Sequence, residues 1–353
     1  MSMLTRNEGL TIAAGIAATI LAGILTYAGA GAVLVFFVSG VALAILASLV
    51  GLATEQLGAR LGPAATGILQ SALGNLPELF VGIFSLQAGL IKVVQAALVG
   101  SILGNSLLVL GLAFLVGGLR NGTQRFASEP PRLIATLMLL AVAALLVPTL
   151  ANYIHTPAGA HADALSLACA LILLIVFIAS IPVSLSSDPT AQAGGESHGV
   201  LWPLWLSAAV LTVAGVGSAL VSDWFVEALR PAIAALHISE AFTGLVIVAI
   251  AGNAVENVVG IQLAVRNKTD YAISVILNSS LQVALALTPV LVLLSFVIGS
   301  THLTLVLPPL LVAALSLATL SSTFIVYDGE SIWLEGVALV GLYSIIAASF
   351  WWG

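Results

Sequence analysis

An all-α polytopic membrane protein with about eleven transmembrane helices is the fold class that this 353-residue sequence predicts. Three observations carry the expectation. Hydrophobic residues make up 60% and charged residues only 7%, with a mean hydropathy of +1.19, whereas a soluble chain carries roughly 25% charged residues. Runs of about 20 apolar residues, enough for a helix to cross a bilayer, recur from end to end. The ~10-residue alternating segments of a membrane barrel do not occur. A net charge of −6 without a basic cluster sets aside a nucleic-acid partner.

Taken in order, the apolar runs place spans over 9–27, 31–52, 64–90, 93–119, 133–151, 164–187, 200–222, 241–266, 271–298, 303–325 and 332–352. Arg6 and the small residues Ala28-Gly29-Ala30 give the first run the look of a signal peptide. Its length of nearly 20 residues and Glu8 in the would-be positive region favour a retained span. The longest links are Arg120–Arg132, Asn152–Asp163, Asp188–Gly199 and Asp223–Glu240, and none can hold a folded soluble domain. Bases set the orientation. Arg6, Arg60, Arg120, Arg125, Arg132, Arg266 and Lys268 fall on one side, Lys92 and Arg230 on the other. The excess predicts a cytoplasmic N-terminus. The lone cysteine, Cys169, lies within the sixth span and reads as a small buried side chain. His155, His161, His198, His237 and His302 all fall in links or at span ends, with no helical metal-ligand spacing.

Thirteen of the fifteen acids also fall in links or at span ends. Glu78 and Glu256 instead lie in the middle of the third and eighth spans. An acid at a helix centre costs roughly 2.5–3.5 kcal/mol on insertion scales, and such groups mark functional sites. Both sit in Gly-Asn-x-x-Glu: Gly74-Asn75-Leu76-Pro77-Glu78 and Gly252-Asn253-Ala254-Val255-Glu256. Asn and Glu, three apart, share a helix face. The glycines Gly74 and Gly252, and Pro77 in the first copy, weaken the helix and free carbonyls at mid-depth. Carbonyl, amide and carboxylate oxygens are hard ligands that suit Ca2+, with Mn2+ a second cation of the same habit.

Each copy is followed by a span carrying a polar stripe. Gln95, Ser101 and Asn105 mark the first; Ser274, Asn278, Ser279 and Gln282 mark the second. Ser101 and Asn105 are four apart, as are Ser274, Asn278 and Gln282 in series, and each of these sets forms one polar stripe on a helix face. These residues are candidate supporting ligands, set against a plainer role in helix packing. The two copies are five spans apart, so they cross the membrane in opposite senses, as in the inverted repeats of secondary transporters. Residues 1–30 then form a helix outside the repeat and 31–187 the first five-helix half. Residues 188–199 form a short acidic cytoplasmic linker, and 200–353 the inverted second half. Glu55 and Glu240, at span ends preceding the motif helices, mark a candidate access path for cations, set against ordinary solvated end charges.

With these residues the sequence resembles the Ca2+/H+ antiporter (CAX) family of the cation/calcium exchanger superfamily. The resemblance covers nearly the whole chain. It rests on Ala53-Thr54-Glu55-Gln56-Leu57, the two Gly-Asn-x-x-Glu segments, Val93-Val94-Gln95-Ala96, Gly100-Ser101-Ile102-Leu103, Ser279-Ser280-Leu281-Gln282 and the stretch Asp328–Gly336. It implies an eleven-helix transporter, not an enzyme, that exchanges cytosolic Ca2+ for protons. It also implies that Glu78 and Glu256 coordinate the ion from opposite halves, completed by Asn75, Asn253 and nearby carbonyls. Gln95, Ser101 and Gln282 match family polar positions near the site. Two positions depart: Asn257 stands where the family commonly has His, and Asn278 where it commonly has Gly. No cofactor is implied beyond the transported ion.

Two carboxylates in one desolvated cavity favour protonation when empty and ionisation when a cation binds, so protons and Ca2+ compete for them. A Na+-coupled exchanger of the same superfamily is the alternative of the same class. A cation channel would need no inverted repeat. An intramembrane enzyme is disfavoured, because Tyr327-Asp328 has no Gly-x-Gly-Asp partner and no His-Glu-x-x-His occurs. The expected partners are Ca2+, H+ and the bilayer, with a homo-oligomer left open. The expected location is a prokaryotic plasma membrane, an organelle being the alternative.

Overall fold

In the computed structural model, residues 4–61, 73–127, 129–187, 201–298 and 301–352 are described. The helices are α1 (Arg6–Tyr27), α2 (Ala32–Leu61), α3 (Leu76–Gln87), α4 (Ile91–Asn121), α5 (Glu129–Tyr153), α6 (Ala162–Ser187) and α7 (Leu204–Leu236). They continue with α8 (Glu240–Gly252), α9 (Ala254–Val265), α10 (Thr269–Ile298), α11 (Pro309–Val326) and α12 (Trp333–Ser349). Two-residue strands, β1 (Gln124–Arg125) and β2 (Glu330–Ser331), pair antiparallel. α1 begins where it does because Thr5 and Glu8 form a capping box, the Glu8 amide donating to Thr5 Oγ1 and the Thr5 amide to Glu8 Oε2.

Among the described residues, eight helices are long and apolar enough to cross a membrane, and the bent pair α8–α9 makes a ninth. α3 and α12, of 12 and 17 residues, are shorter than the ~20 residues of a straight crossing. The expected third span starts at 64, and its residues 64–72 lie outside the described residues, as does the expected linker 188–199 with His198.

Three expectations are corrected. The seventh span does not stop at 222: α7 runs on to Leu236, through Asp223, Glu227 and Arg230. Those residues are all exposed and recur at four- and three-residue spacing, so the charges form one solvated stripe while Phe225, Val226 and Leu229 on other faces stay buried. A fall in hydropathy therefore marked a charged face on a continuing helix, not its end. Conversely, the tenth helix does not start at 303. Pro308 and Pro309 set its start at Pro309, and residues before it are extended. Cys169 is half-buried, not buried.

The chain divides into two compact units. The first comprises Met1–Ala88, Ile181–Ile238 and Ala251–Val255. Within it α2 packs along α7, with α1 and α3 alongside. Phe36 stacks on Phe225, ring centroids 4.8 Å apart. The start of α7 is fastened to α2: Arg60 Nε donates to the Trp202 carbonyl at 2.6 Å, and the Trp202 amide donates to Gln56 Oε1 at 3.0 Å.

The second unit comprises Gly89–Ser180, Ser239–Ile250 and Glu256–Gly353. Here α4 crosses α8 with backbones nearly touching. A Cβ on Gly100 would overlap the Leu245 carbonyl, and one on Gly244 would lie 2.5 Å from the Val93 carbonyl oxygen. Small residues permit such close approach in membranes, where packing rather than hydrophobicity drives association. The extended segment 303–307 is buried at Leu303, Leu305 and Leu307. Among the described residues it pairs with no strand, and side chains meet several of its backbone groups instead. The amides of Leu303, Leu305 and Leu307 donate to Ser295 Oγ, Ser166 Oγ and Thr149 Oγ1, each at 2.9 Å. Thr149 Oγ1 donates to the Leu305 carbonyl at 3.0 Å. Irregular backbone at membrane depth is tolerated only with such compensation.

Candidate functional site

Both Gly-Asn-x-x-Glu segments sit at helix starts. In the first, Gly74 and Asn75 form a turn and α3 begins at Leu76, with Asn75 as the N-cap residue (φ −96°, ψ 23°) and Pro77 in the first turn. Proline suits that place because its missing N–H would lack a helical partner anyway. Glu78 follows in the same turn. In the second copy α8 ends at Gly252, Asn253 occupies the break, and α9 begins at Ala254 with Glu256 in its first turn. The chain bends by 64° there. The unsatisfied amides of a helix's first turn, with the positive end of its dipole, stabilise a carboxylate. The two glutamates that looked mid-helix in sequence are thus each in the first turn of a helix that starts within the motif.

The first unit holds Gly74, Asn75 and Glu78 together with Gly252 and Asn253. Asn75, Glu78 and Asn253 are buried. A Cβ built on Gly252 would lie 2.5 Å from Glu78 Cγ, 2.9 Å from Cδ and 3.0 Å from Oε1. The glycine of the second motif is therefore the seat of the first motif's carboxylate, and a larger residue there would displace it. Ser85, seven residues on from Glu78 on the same face of α3, is also buried. Glu55, the first candidate access residue, is exposed on α2.

The second unit holds Glu256 and the remaining candidates. Glu256 is half-buried, and the neighbouring Asn257 Oδ1 has no hydrogen-bond partner among the described residues. The two polar stripes meet side by side. Asn105 Nδ2 donates to Ser279 Oγ at 2.9 Å, and the hydroxyls of Ser106 and Ser280 are 3.1 Å apart. Ser101 is buried on the same helix as Asn105. Asn278 Nδ2 donates to Ser274 Oγ at 3.2 Å, and Gln282 ends the regular α-helical part of α10. Gln95 reaches the extended segment: its Nε2 donates to the carbonyls of Thr304 (2.9 Å) and Val306 (3.1 Å). Beside it, Gln95, Leu98, Thr288 and Leu303 line a cavity of about 20 Å³, room for a single water. Glu240 opens the first turn of α8, which Ser239 caps by accepting from the Phe242 amide.

Sequence reasoning named Asn105 and Ser279 as candidate ligands but not their neighbours Ser106 and Ser280. It also missed Thr149, Ser166 and Ser295. Single hydroxyl residues in apolar helices carry no periodic signal, so only their partners distinguish them. No group of three or more His, Cys, Asp or Glu gathers among the described residues.

A membrane-embedded carrier of cations is the class that the fold and its relatives define. The family model described as sodium/calcium exchanger protein matches residues 31–185 and 206–352, and the chain belongs to that family. The chain is 36% identical to the Ca2+/H+ antiporter of Synechocystis sp., covering 91% of this chain and 92% of that one. It is 32% identical to the Ca2+/H+ antiporter ChaA of Bacillus subtilis, covering 97% of each. Among solved structures, the Ca2+/H+ antiporter protein YfkE superposes with a TM-score of 0.83 at 32% identity, covering 98% of this chain and 99% of that one. The H+/Ca2+ exchanger CAX shares the fold, with a TM-score of 0.77 at 16% identity over 98% of this chain and 92% of that one.

Proposed function

We propose that this chain is a secondary transporter exchanging Ca2+ for protons by alternating access, with Glu78 and Glu256 as the carboxylates both ions use. The observation that carries the reading is the seat of Glu78 on Gly252, which joins the two copies of one motif in a single arrangement. The relatives named above as Ca2+/H+ antiporters, similar over nine-tenths of the chain, support it. Asn75, Asn253 and the carbonyls of Gly74 and Gly252 complete the oxygen shell in this reading. Ca2+ takes 6–8 oxygens and fits an adaptable site, and Mn2+ is the expected competitor. Protons displace the cation by neutralising the carboxylates, and the cation displaces protons by the reverse.

The inverted repeat belongs to the same proposal, with halves 31–187 and 200–353 around the linker 188–199. Two π-helical segments support it, Gly104–Val109 in α4 and Val283–Leu287 in α10. They fall at matching places when Glu78 is laid on Glu256, and such segments concentrate at functional sites. A plasma-membrane location with a cytoplasmic N-terminus follows the distribution of bases.

Radiolabelled Ca2+ uptake into proteoliposomes, driven by a pH gradient, tests the function. Wild-type protein is expected to transport, and Glu78→Gln and Glu256→Gln are each expected to lose uptake by at least about 100-fold. Undiminished uptake in either variant would sink the site. The family's description as sodium/calcium exchanger gives the second reading its footing. Uptake driven by a Na+ gradient at equal pH would favour that reading instead.

A further inference from the structure

Serine and threonine hydroxyls in membrane helices ordinarily donate to the carbonyl three or four residues back. Thr19, Ser48 and Thr212 of the first unit do so, at 2.8, 3.2 and 2.8 Å. Ser39 on α2, Ser85 on α3, and Ser218 and Ser222 on α7 do not. Each is at most 1% exposed, and its Oγ has no hydrogen-bond partner among the described residues. A hydroxyl is both donor and acceptor, and left unmet in an apolar interior it is unfavourable.

The helix register gathers these four into one column. α2 and α7 run antiparallel: a Cβ on Gly217 would lie 3.2 Å from Leu46, one on Gly40 would lie 3.4 Å from Phe225, and Phe36 stacks on Phe225. Ser39 comes three residues after Phe36, and Ser222 three residues before Phe225. Both steps lead the same way from the stacked rings, by about 4.5 Å, and stay on the rings' side of each helix. Ser39 and Ser222 therefore share one level of the α2–α7 seam. α3 and α7 run parallel: a Cβ on Gly215 would lie 4.0 Å from Leu76, and Arg230 donates to the Ala88 carbonyl at 3.0 Å. Counting between these contacts at equal rise puts Ser218 at the level of Glu78, with Ser222 and then Ser85 further along. In order of level along the helices, the column thus runs from Glu78 and Ser218, past Ser222 and Ser39, to Ser85, and ends at Ala88 and Arg230, which are exposed. In the other direction the seam is filled by Leu46, Val50 and Ala214, all buried.

We propose that these four hydroxyls bind a file of water that carries protons between the Ala88–Arg230 end of the first unit and Glu78. This rests on the reading of Glu78 as a carboxylate that exchanges protons. Each serine passes a proton by accepting one from a neighbouring water while releasing its own to the next, so no net bond or charge remains on the chain. Hydroxyls alone offer too few oxygens for Ca2+, which needs six to eight. The column therefore admits protons and leaves the cation to another route.

The test compares two activities of the full-length protein in proteoliposomes: pH-gradient-driven Ca2+ uptake, and Ca2+/Ca2+ exchange at equal pH, which moves no net protons. The double variant Ser218→Ala/Ser222→Ala is expected to slow gradient-driven uptake by at least about tenfold while Ca2+/Ca2+ exchange stays within about twofold. Ser218→Thr, which keeps the hydroxyl, is expected to retain uptake. Ser207→Ala is expected to match wild type, because Ser207 is equally buried and unpartnered but lies beyond the apolar fill. Equal slowing of both activities, or slowing of neither, overturns the proposal. Wild-type protein without gradient-driven uptake would overturn the exchange reading and this inference together. An unaltered double variant beside an active wild type overturns this inference alone. As a second measurement on a folded protein, Ser222→Cys in a Cys169→Ala background is expected to react with a small charged thiol reagent, and a protected thiol there counts against the file.

Discussion

The two units treat their buried hydroxyls in opposite ways. In the second, side chains are spent on each other and on backbone: Asn105 on Ser279, Ser106 on Ser280, Gln95 on two carbonyls, and Ser166, Ser295 and Thr149 on the amides of the extended segment. In the first, Ser39, Thr54, Ser85, Ser207, Ser218 and Ser222 are buried with no hydrogen-bond partner among the described residues. Of the buried hydroxyls so left in the second unit, only Tyr343 is found among the described residues. Satisfied polar networks rigidify and fix one arrangement. Unmet hydroxyls in an apolar interior call for water. The same residue types thus serve as braces in one unit and stand buried without a partner among the described residues in the other, and composition does not separate the two settings.

The comparison can be pressed at three places. The largest effect is expected in the first unit at Gly252. Gly252→Ala would place a Cβ against Glu78, and a displacement of about 1 Å at a working group can cost about 100-fold in rate. Gradient-driven Ca2+ uptake should fall by that order. Alanine otherwise favours a helix by up to about 1 kcal/mol over glycine, so the loss should appear without loss of stability. Wild-type uptake in that variant would remove the seat from the argument.

An intermediate effect is expected in the second unit at Thr149. Thr149→Val strips the Leu307 amide and the Leu305 carbonyl of their partner. Each unmet buried group costs about 1–3 kcal/mol. Unfolding in mixed detergent should show the loss, while the few molecules still folded should keep normal ion coupling. Unchanged stability would mean that the extended segment is not held by side chains.

The smallest effect is expected at the exposed pair of Asp163 and His302, 3.1 Å apart with side chains 56% and 42% exposed. Pairs in water contribute about 0–1 kcal/mol. Asp163→Asn should shift stability by no more than about 0.5 kcal/mol in the same unfolding assay. A larger loss would extend the bracing of the second unit out to its surface.

Much of the architecture was legible because a bilayer imposes a strong filter. Twenty-residue apolar runs, and two acids inside them, need no knowledge of neighbours to be read. The break at each Gly-Asn was legible too, since glycine and proline weaken helices locally. The far end of α7 was not, because Asp223, Glu227 and Arg230 lower hydropathy without ending a helix whose other faces stay buried. The extended stretch Leu303–Leu307 was not, because its residues are as apolar as those of a span and its partners lie on α5, α6 and α10.

The sequence by itself determined that this chain is a helical membrane protein with a matched pair of intramembrane carboxylates. Those properties follow from transfer energies of single residues and from local helix propensity. Only the tertiary structure decided that Gly252 makes room for Glu78, that Thr149 and Gln95 hold the non-helical segment 303–307, and that Ser39, Ser85, Ser218 and Ser222 are buried without partners among the described residues. Close approach and hydrogen-bond partnership depend on which helix lies opposite, and that is fixed by packing over distances no local window of sequence contains.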